Sequence, residues 1–179
     1  MTQSTDGLVQ VIDAMKSQLT SAFAGVTVAI HDPNSVDPIV VPAILIDLEA
    51  MPLQSDHHDK TVINANWKLH CLLADNTPDL SLAIRTFALS VMEQIKNEGV
   101  WLPDSGTTDV PQKVEAMPSE ISYSGASHVA AWEVTYQQRL HLGPSHWDAT
   151  GIIPQNIYVA CVKKGEAHAK FDHELIHSL

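Results

Sequence analysis

The sequence predicts an α+β domain: a mostly antiparallel sheet flanked by two amphipathic helices, with a C-terminal extension. Three observations carry this prediction. Two segments repeat apolar residues at spacings of three and four, two longer ones alternate apolar and polar residues, and a nearly continuous apolar run lies between the first helix and the first alternating strand.

In the first segment, Leu8, Val11, Ile12, Met15, Leu19 and Phe23 fall on one face of a helix over residues 7–24. Thr5 or Asp6 can cap its start and Gly25 can end it. Val26 to Ile30 alternates as a strand, with Val26, Val28 and Ile30 inward, and His31 to Ser35 reads as a turn. Val40 to Glu49 is the apolar run. It fits a strand covered on both faces, with Pro42 tolerated because it stands near the start. Residues 50–60 read as a polar loop.

The clearest strand places Ile63, Ala65, Trp67, Leu69, Cys71 and Leu73 on one face and Asn64, Asn66, Lys68 and His70 on the other. Thr77-Pro78-Asp79 then offers a cap, a proline at the first helical position and an early acid. Leu80, Ala83, Ile84, Phe87, Ala88, Val91, Met92 and Ile95 continue as a second helix, which Gly99 ends. Residues 103–111 form a turn-rich loop, and Lys113 to Met117 and Glu120 to Tyr123 read as short strands around Pro118. A last long strand over 128–142 turns Ala130, Trp132, Val134, Tyr136 and Leu140 inward, with Gln138 the polar exception. Residues 1–145 form the body. Residues 146–179 form an arm too short to bury a core alone, with one apolar run from Ile157 to Val162.

Composition narrows the function. The 179 residues carry 21 acids against 10 Lys and Arg, a formal charge of -11, and a surface of that sign repels phosphate rather than gripping it. At 45% hydrophobic and 17% charged residues, the chain has material for a folded core. No apolar run reaches the roughly 18–20 residues of a membrane span, and the first residues lack a signal peptide's basic and apolar regions, so neither a membrane location nor export is expected. Cys71 and Cys161 form no C-x-x-C pair, which suits free thiols in a reducing compartment.

Ten histidines invite a search for metal ligands. Asp56-His57-His58-Asp59 is the densest cluster, read either as a transition-metal loop or as a solvated polar loop. His173-Glu174-Leu175-Ile176-His177 fits H-E-x-x-H if it is helical, two histidines one turn apart with a glutamate as base. It stands two residues from the end of the sequence, where a third ligand from a following segment is not expected and a polar or fraying terminal helix is the other reading. Glycine-rich nucleotide loops, the G-x-S-x-G elbow and C-x-x-C are absent. Cys71, on the apolar face, reads as a small buried hydrophobe. Trp67 and Trp132 read as core, whereas Trp147, outside the periodic elements, suits an intermolecular contact. No catalytic, cofactor-binding or metal residue is assigned, and no cofactor is expected.

The order of elements, with the strand Val41-Pro42-Ala43-Ile44-Leu45-Ile46-Asp47-Leu48-Glu49, a polar loop, the long strand around Trp67, a helix after Thr77-Pro78 and a terminal strand pair, resembles the tail terminator proteins of long-tailed bacteriophages, those with contractile tails in particular. The resemblance covers roughly residues 7–142. It implies a non-enzymatic structural protein of the virion at the tail–neck junction, assembled in the host cytoplasm. Such a protein forms a ring, usually a homo-hexamer, that caps the tail tube and sheath, ends tube polymerisation and joins the tail to neck and connector proteins. Genomic DNA passes through its lumen without specific binding, and some of the 21 acids are then expected to line that lumen. The alternatives are another phage neck or tail-completion protein, a small binding module, or a metal-dependent hydrolase using His173 and His177.

A closed ring needs heterologous interfaces. Contact residues are expected in the loop after the apolar run, at Met51, Leu53, His57 and His58, and in the arm, at Trp147, Ile157, Tyr158 and Val159. The loop over 103–111 is a further contact segment. Val62 and Leu72, apolar on an otherwise polar strand face, belong either to an interface or beneath a second layer of the same chain.

Overall fold

The computed structural model describes residues 3–33, 38–54, 61–102, 107–119 and 129–143, with the backbone of strands 156–160 and 173–178. The chain divides into two units, Met1–Pro144 and Ser145–Leu179. In the first, α1 (Gln3–Ala22), β1 (Thr27–Ile30), β2 (Ala43–Ala50), β3 (Thr61–Ala74), α2 (Leu80–Glu98), β4 (Gln112–Pro118) and β5 (Val129–Leu142) follow in order. The strands form one five-stranded sheet, β1-β2-β3-β5-β4. Only β1 and β2 pair in parallel; every other pair is antiparallel, so the fold is α+β.

Both helices bury against the same face. Val11, Met15 and Leu19 of α1 and Ile84, Ala88, Val91 and Ile95 of α2 join Ile63, Ala65, Trp67, Leu69 and Cys71 of β3 and Val134, Tyr136 and Leu140 of β5 in one core cluster. The alternation of β3 produces this directly, because a period of two sends successive side chains to opposite faces. A smaller cluster occupies the other face: Ala43, Leu45 and Leu72, with Ala29, Ile39, Val41 and Ala131 packed on it. Residues 38–41 thus cover β2 from outside, and the apolar run is buried on both sides at Ala43 to Ile46. Leu72 and Val62 are buried within the chain, so the second-layer reading holds for them.

Several local expectations are corrected. The first helix begins at Gln3, which puts Asp6 inside its first turn, near the positive end of the helix dipole, rather than before it. Gly25 does end the segment, at φ 81, where a side chain would be strained. Ile30 is 57% exposed rather than inward, because it closes an edge strand that has a neighbour on one side only. The cap of α2 is Asp79, not Thr77; its backbone is left-handed (φ 48) and its carbonyl accepts from the Leu82 and Ala83 amides at 2.8 and 2.9 Å. Residues 50–54 do not leave the sheet as a loop: β2 runs to Ala50, Leu53 bridges Ile63, and the Gln54 amide donates to the Val62 carbonyl. Thr107 to Asp109 likewise pairs with β5, with Thr108 opposite Leu140. Lys113, at φ 52, sits in a register shift of β4 that acts as a bulge. Residues 120–128 lie outside the described residues.

Gly99 follows α2 at an ordinary φ of -73. Its lack of a side chain matters for packing, since a Cβ there would stand 2.5 Å from Pro111 Cγ and closer still to the Ile95 carbonyl oxygen.

In the second unit, β6 (Asn156–Ala160) and β7 (His173–Ser178) pair as an antiparallel two-stranded sheet. His173 stands opposite Ala160 and His177 opposite Ile157. The H-E-x-x-H residues are therefore on a strand, which corrects the helical reading. Four residues along a strand span roughly 13 Å of backbone, so the single helical turn on which the H-E-x-x-H pattern depends is not present here. Among the described residues no helix is long and apolar enough to cross a membrane.

Candidate functional site on the outer face of the sheet

The helix-covered face is closed by packing and hydrogen bonds. Tyr136 is fully buried: its hydroxyl accepts from Trp101 Nε1 at 3.2 Å and lies 3.8 Å from Met15 Sδ, and burial pushes its pKa up. Gln138, the polar exception on β5, is 1% exposed, and its Nε2 donates to the carbonyls of Gly99 and Asp109, both at 2.7 Å. That amide ties the end of α2 and the 107–111 segment to the sheet. Burial raises the Cys71 thiol to about 12, so it stays protonated and unreactive at neutral pH.

The opposite face holds the ionisable groups. Lys68 on β3 lies opposite Asp47 on β2 and Thr135 on β5. Its ammonium reaches Glu49 at 3.3 Å and Glu133 at 3.7 Å. Burial alone would lower the Lys68 pKa, but the Glu49 hydrogen bond and the charges of Glu133, Glu49 and Asp47 outweigh it and raise the value. A shallow depression of about 300 Å³ opens here, lined by Glu49, Asn66, Lys68, Glu115, Glu133 and Gln137 among others. Beyond it, Asp109 Oδ1 meets His141 Nε2 at 3.2 Å.

At the edge of this face three side chains converge that the sequence reading did not connect. His31 follows β1 and its amide donates to the Ile46 carbonyl at 2.7 Å. That bond continues the parallel register, in which Ile30 pairs with Ile46, and sets His31 beside Asp47. His70 on β3 stands opposite Leu45, one diagonal step from Asp47 on the same face. One potential ligand atom from each of His31, Asp47 and His70 lies within 4.8 Å of those of the other two. The two imidazoles are tilted by 59° at a centroid distance of 5.2 Å. His70 is 6% exposed, and its Nδ1 is 3.2 Å from Ser119 Oγ. Burial first, and the neighbouring His31 second, hold its pKa below the ordinary histidine value, so the ring is neutral at pH 7.

The residues expected at interfaces fare variously. Met51 and Leu53 are exposed, at 51% and 72%, and stand beside the start of β3. His57, His58 and Trp147 lie outside the described residues. Ile157, Tyr158 and Val159 are backbone-paired with His177, Leu175 and Glu174 in the second unit. Of the expected core tryptophans, Trp67 is buried, while Trp132 is half-buried beneath the Arg85 guanidinium, 5.7 Å from the ring centroid.

The period of two on β3 already turned His70 outward, away from Cys71. The missing signal was register, which alone brings residues 31, 47 and 70 together across three strands. No protein-family model matches the chain, and no curated protein matches it.

Proposed function

We propose that the protein is a structural ring subunit of a long-tailed bacteriophage, a tail terminator that caps the tail tube and sheath and joins the tail to the neck. The supporting observation is the architecture itself: the element order that carries the resemblance folds into a sheet with helices on one face and two edge strands, β1 and β4, each paired on one side only among the described residues. Open edges and exposed apolar side chains are the raw material of heterologous, ring-closing contacts. Met51, Leu53, Val40, Leu82 and Leu89 are such side chains, each at least 49% exposed. In this reading the Ser145–Leu179 unit reaches a neighbouring subunit or an adjacent neck or sheath protein. The excess of acids keeps passing DNA from adhering to the lumen.

Electron microscopy and light scattering on the purified full chain test the proposal. The expected particle is an open ring, and six chains of 19.5 kDa give a mass of about 117 kDa. Compact monomers under conditions where other tail components assemble would overturn it. Deleting residues 146–179 should impair ring assembly or head joining, and unchanged assembly and joining would remove the role given to that unit.

A further inference from the structure

We propose that His31, Asp47 and His70 form a binding site for a divalent transition-metal ion with zinc's coordination preference, using three protein ligands and leaving one position open. The donor set is the first argument. Two imidazoles and one carboxylate are a combination that zinc takes with a fourth position left for water or another donor. Geometry is the second. Ligands about 2.0–2.1 Å from a tetrahedral ion lie about 3.4 Å from one another. The ligand atoms here, all within 4.8 Å of one another, close to that spacing with small side-chain rotations.

The surroundings supply independent support. Ser119 belongs to the segment after β4, and its hydroxyl bonds His70 Nδ1 at 3.2 Å, which leaves Nε2 as the nitrogen for the ion. A histidine ligand held through its other ring nitrogen is the usual outer-shell arrangement of metal sites. His70 also stands opposite Leu45 of the small apolar cluster, and apolar neighbours tune a metal site by lowering the local dielectric. Lys68, the cation opposite Asp47 in the register, pairs with Glu49 and Glu133, and among the described residues it makes no ion pair with Asp47. The inference stands apart from the ring proposal, because every ligand comes from one chain.

The test uses the full-length protein, stripped with chelator, and zinc alone as the probe, with cobalt as a spectroscopic substitute. Calorimetric titration should give one zinc per chain at this site, and cobalt should give the visible absorption of a low-symmetry, four- or five-coordinate ion that zinc displaces. Asp47→Asn and His31→Asn, both at half-buried positions, should each weaken zinc by more than about 100-fold, and Ser119→Ala by about 10-fold, the range of an outer-shell partner. His57→Ala/His58→Ala and His173→Ala/His177→Ala should leave this binding unchanged. Unfolding midpoints without metal establish that each variant is folded. Absence of zinc uptake, binding by Asp47→Asn and His31→Asn at wild-type strength, or loss of the signal in the His57/His58 or His173/His177 variants would each overturn the proposal.

Discussion

The two faces of the sheet use the same strands for opposite ends. On β3 the neighbours His70 and Cys71 differ by one residue and by everything around them: Cys71 lies in the cluster beneath the helices, while His70 joins two ionisable groups on the far side. The helix-covered face uses several of its polar atoms as structure, as Gln138 Nε2, Trp101 and Tyr136 do with their hydrogen bonds. The outer face holds charges whose mutual contacts are partly solvated, such as Lys68 with Glu49. Substitutions under the helices should therefore act on stability. Those on the outer face should act on binding.

The largest expected effect is Trp67→Ala. Trp67 is 1% exposed and stacks with Tyr136 at a centroid distance of 6.4 Å. Truncation leaves a cavity in a core that helices close from above, and a loss of about 3–5 kcal/mol is expected, read from denaturant unfolding. Trp67→Phe should cost clearly less, because the indole Nε1 has no hydrogen-bond partner among the described residues. Equal losses for the two would mean that the core depends on the indole nitrogen rather than on volume.

Gln138→Leu comes next. It keeps the approximate size of the side chain but strips two carbonyls, Gly99 and Asp109, of their donor. Leaving buried acceptors unsatisfied costs more than a hydrogen bond contributes, and about 2 kcal/mol is expected. Faster hydrogen exchange should accompany it at the end of α2 and at the Asp109 amide, which donates to the Arg139 carbonyl. A stable Gln138→Leu protein with unchanged exchange would show that the amide is dispensable and that packing alone closes this face.

Most of this contrast was legible in the sequence, and the reasons are local. Alternation on β3 and β5 is long enough to fix which residues face the helices, and a single polar residue in an apolar row, Gln138, announces a buried hydrogen-bonding role. What failed depends on information that no short window holds. His31, Asp47 and His70 become neighbours only through the parallel pairing of β1 with β2 and the antiparallel register of β2 with β3. Thr77 and Asp79 both offer a helix-capping side chain, yet α2 starts after Asp79 with no side-chain cap hydrogen bond, through a left-handed backbone that the sequence does not signal. The His173–His177 spacing failed for a further reason. Four is close to one turn of a helix and is also two repeats of a strand, so the spacing alone does not choose between the two structures.

Lys68→Met should have the smallest effect on stability and the sharpest consequence for the comparison. The Lys68 side chain is 21% exposed; its shorter contact is to Glu49, whose side chain is 57% exposed, so solvent screens most of that attraction, and the contact with the less exposed Glu133 is longer, at 3.7 Å. Pairs of this kind contribute less than about 1 kcal/mol, and the difference between variant and wild type should shrink further in salt. The methionine retains the apolar stem along the strand while removing a positive charge that stands opposite Asp47 and two residues from His70. The negative potential of Asp47, Glu49 and Glu133 on this face is then offset less, and zinc affinity at the His31–Asp47–His70 cluster should rise while the unfolding midpoint barely moves. A loss of stability comparable to that of Gln138→Leu would place Lys68 among the structural residues and erase the distinction between the faces. Tighter zinc binding in an equally stable protein would establish that this face of the sheet can be retuned without the fold noticing.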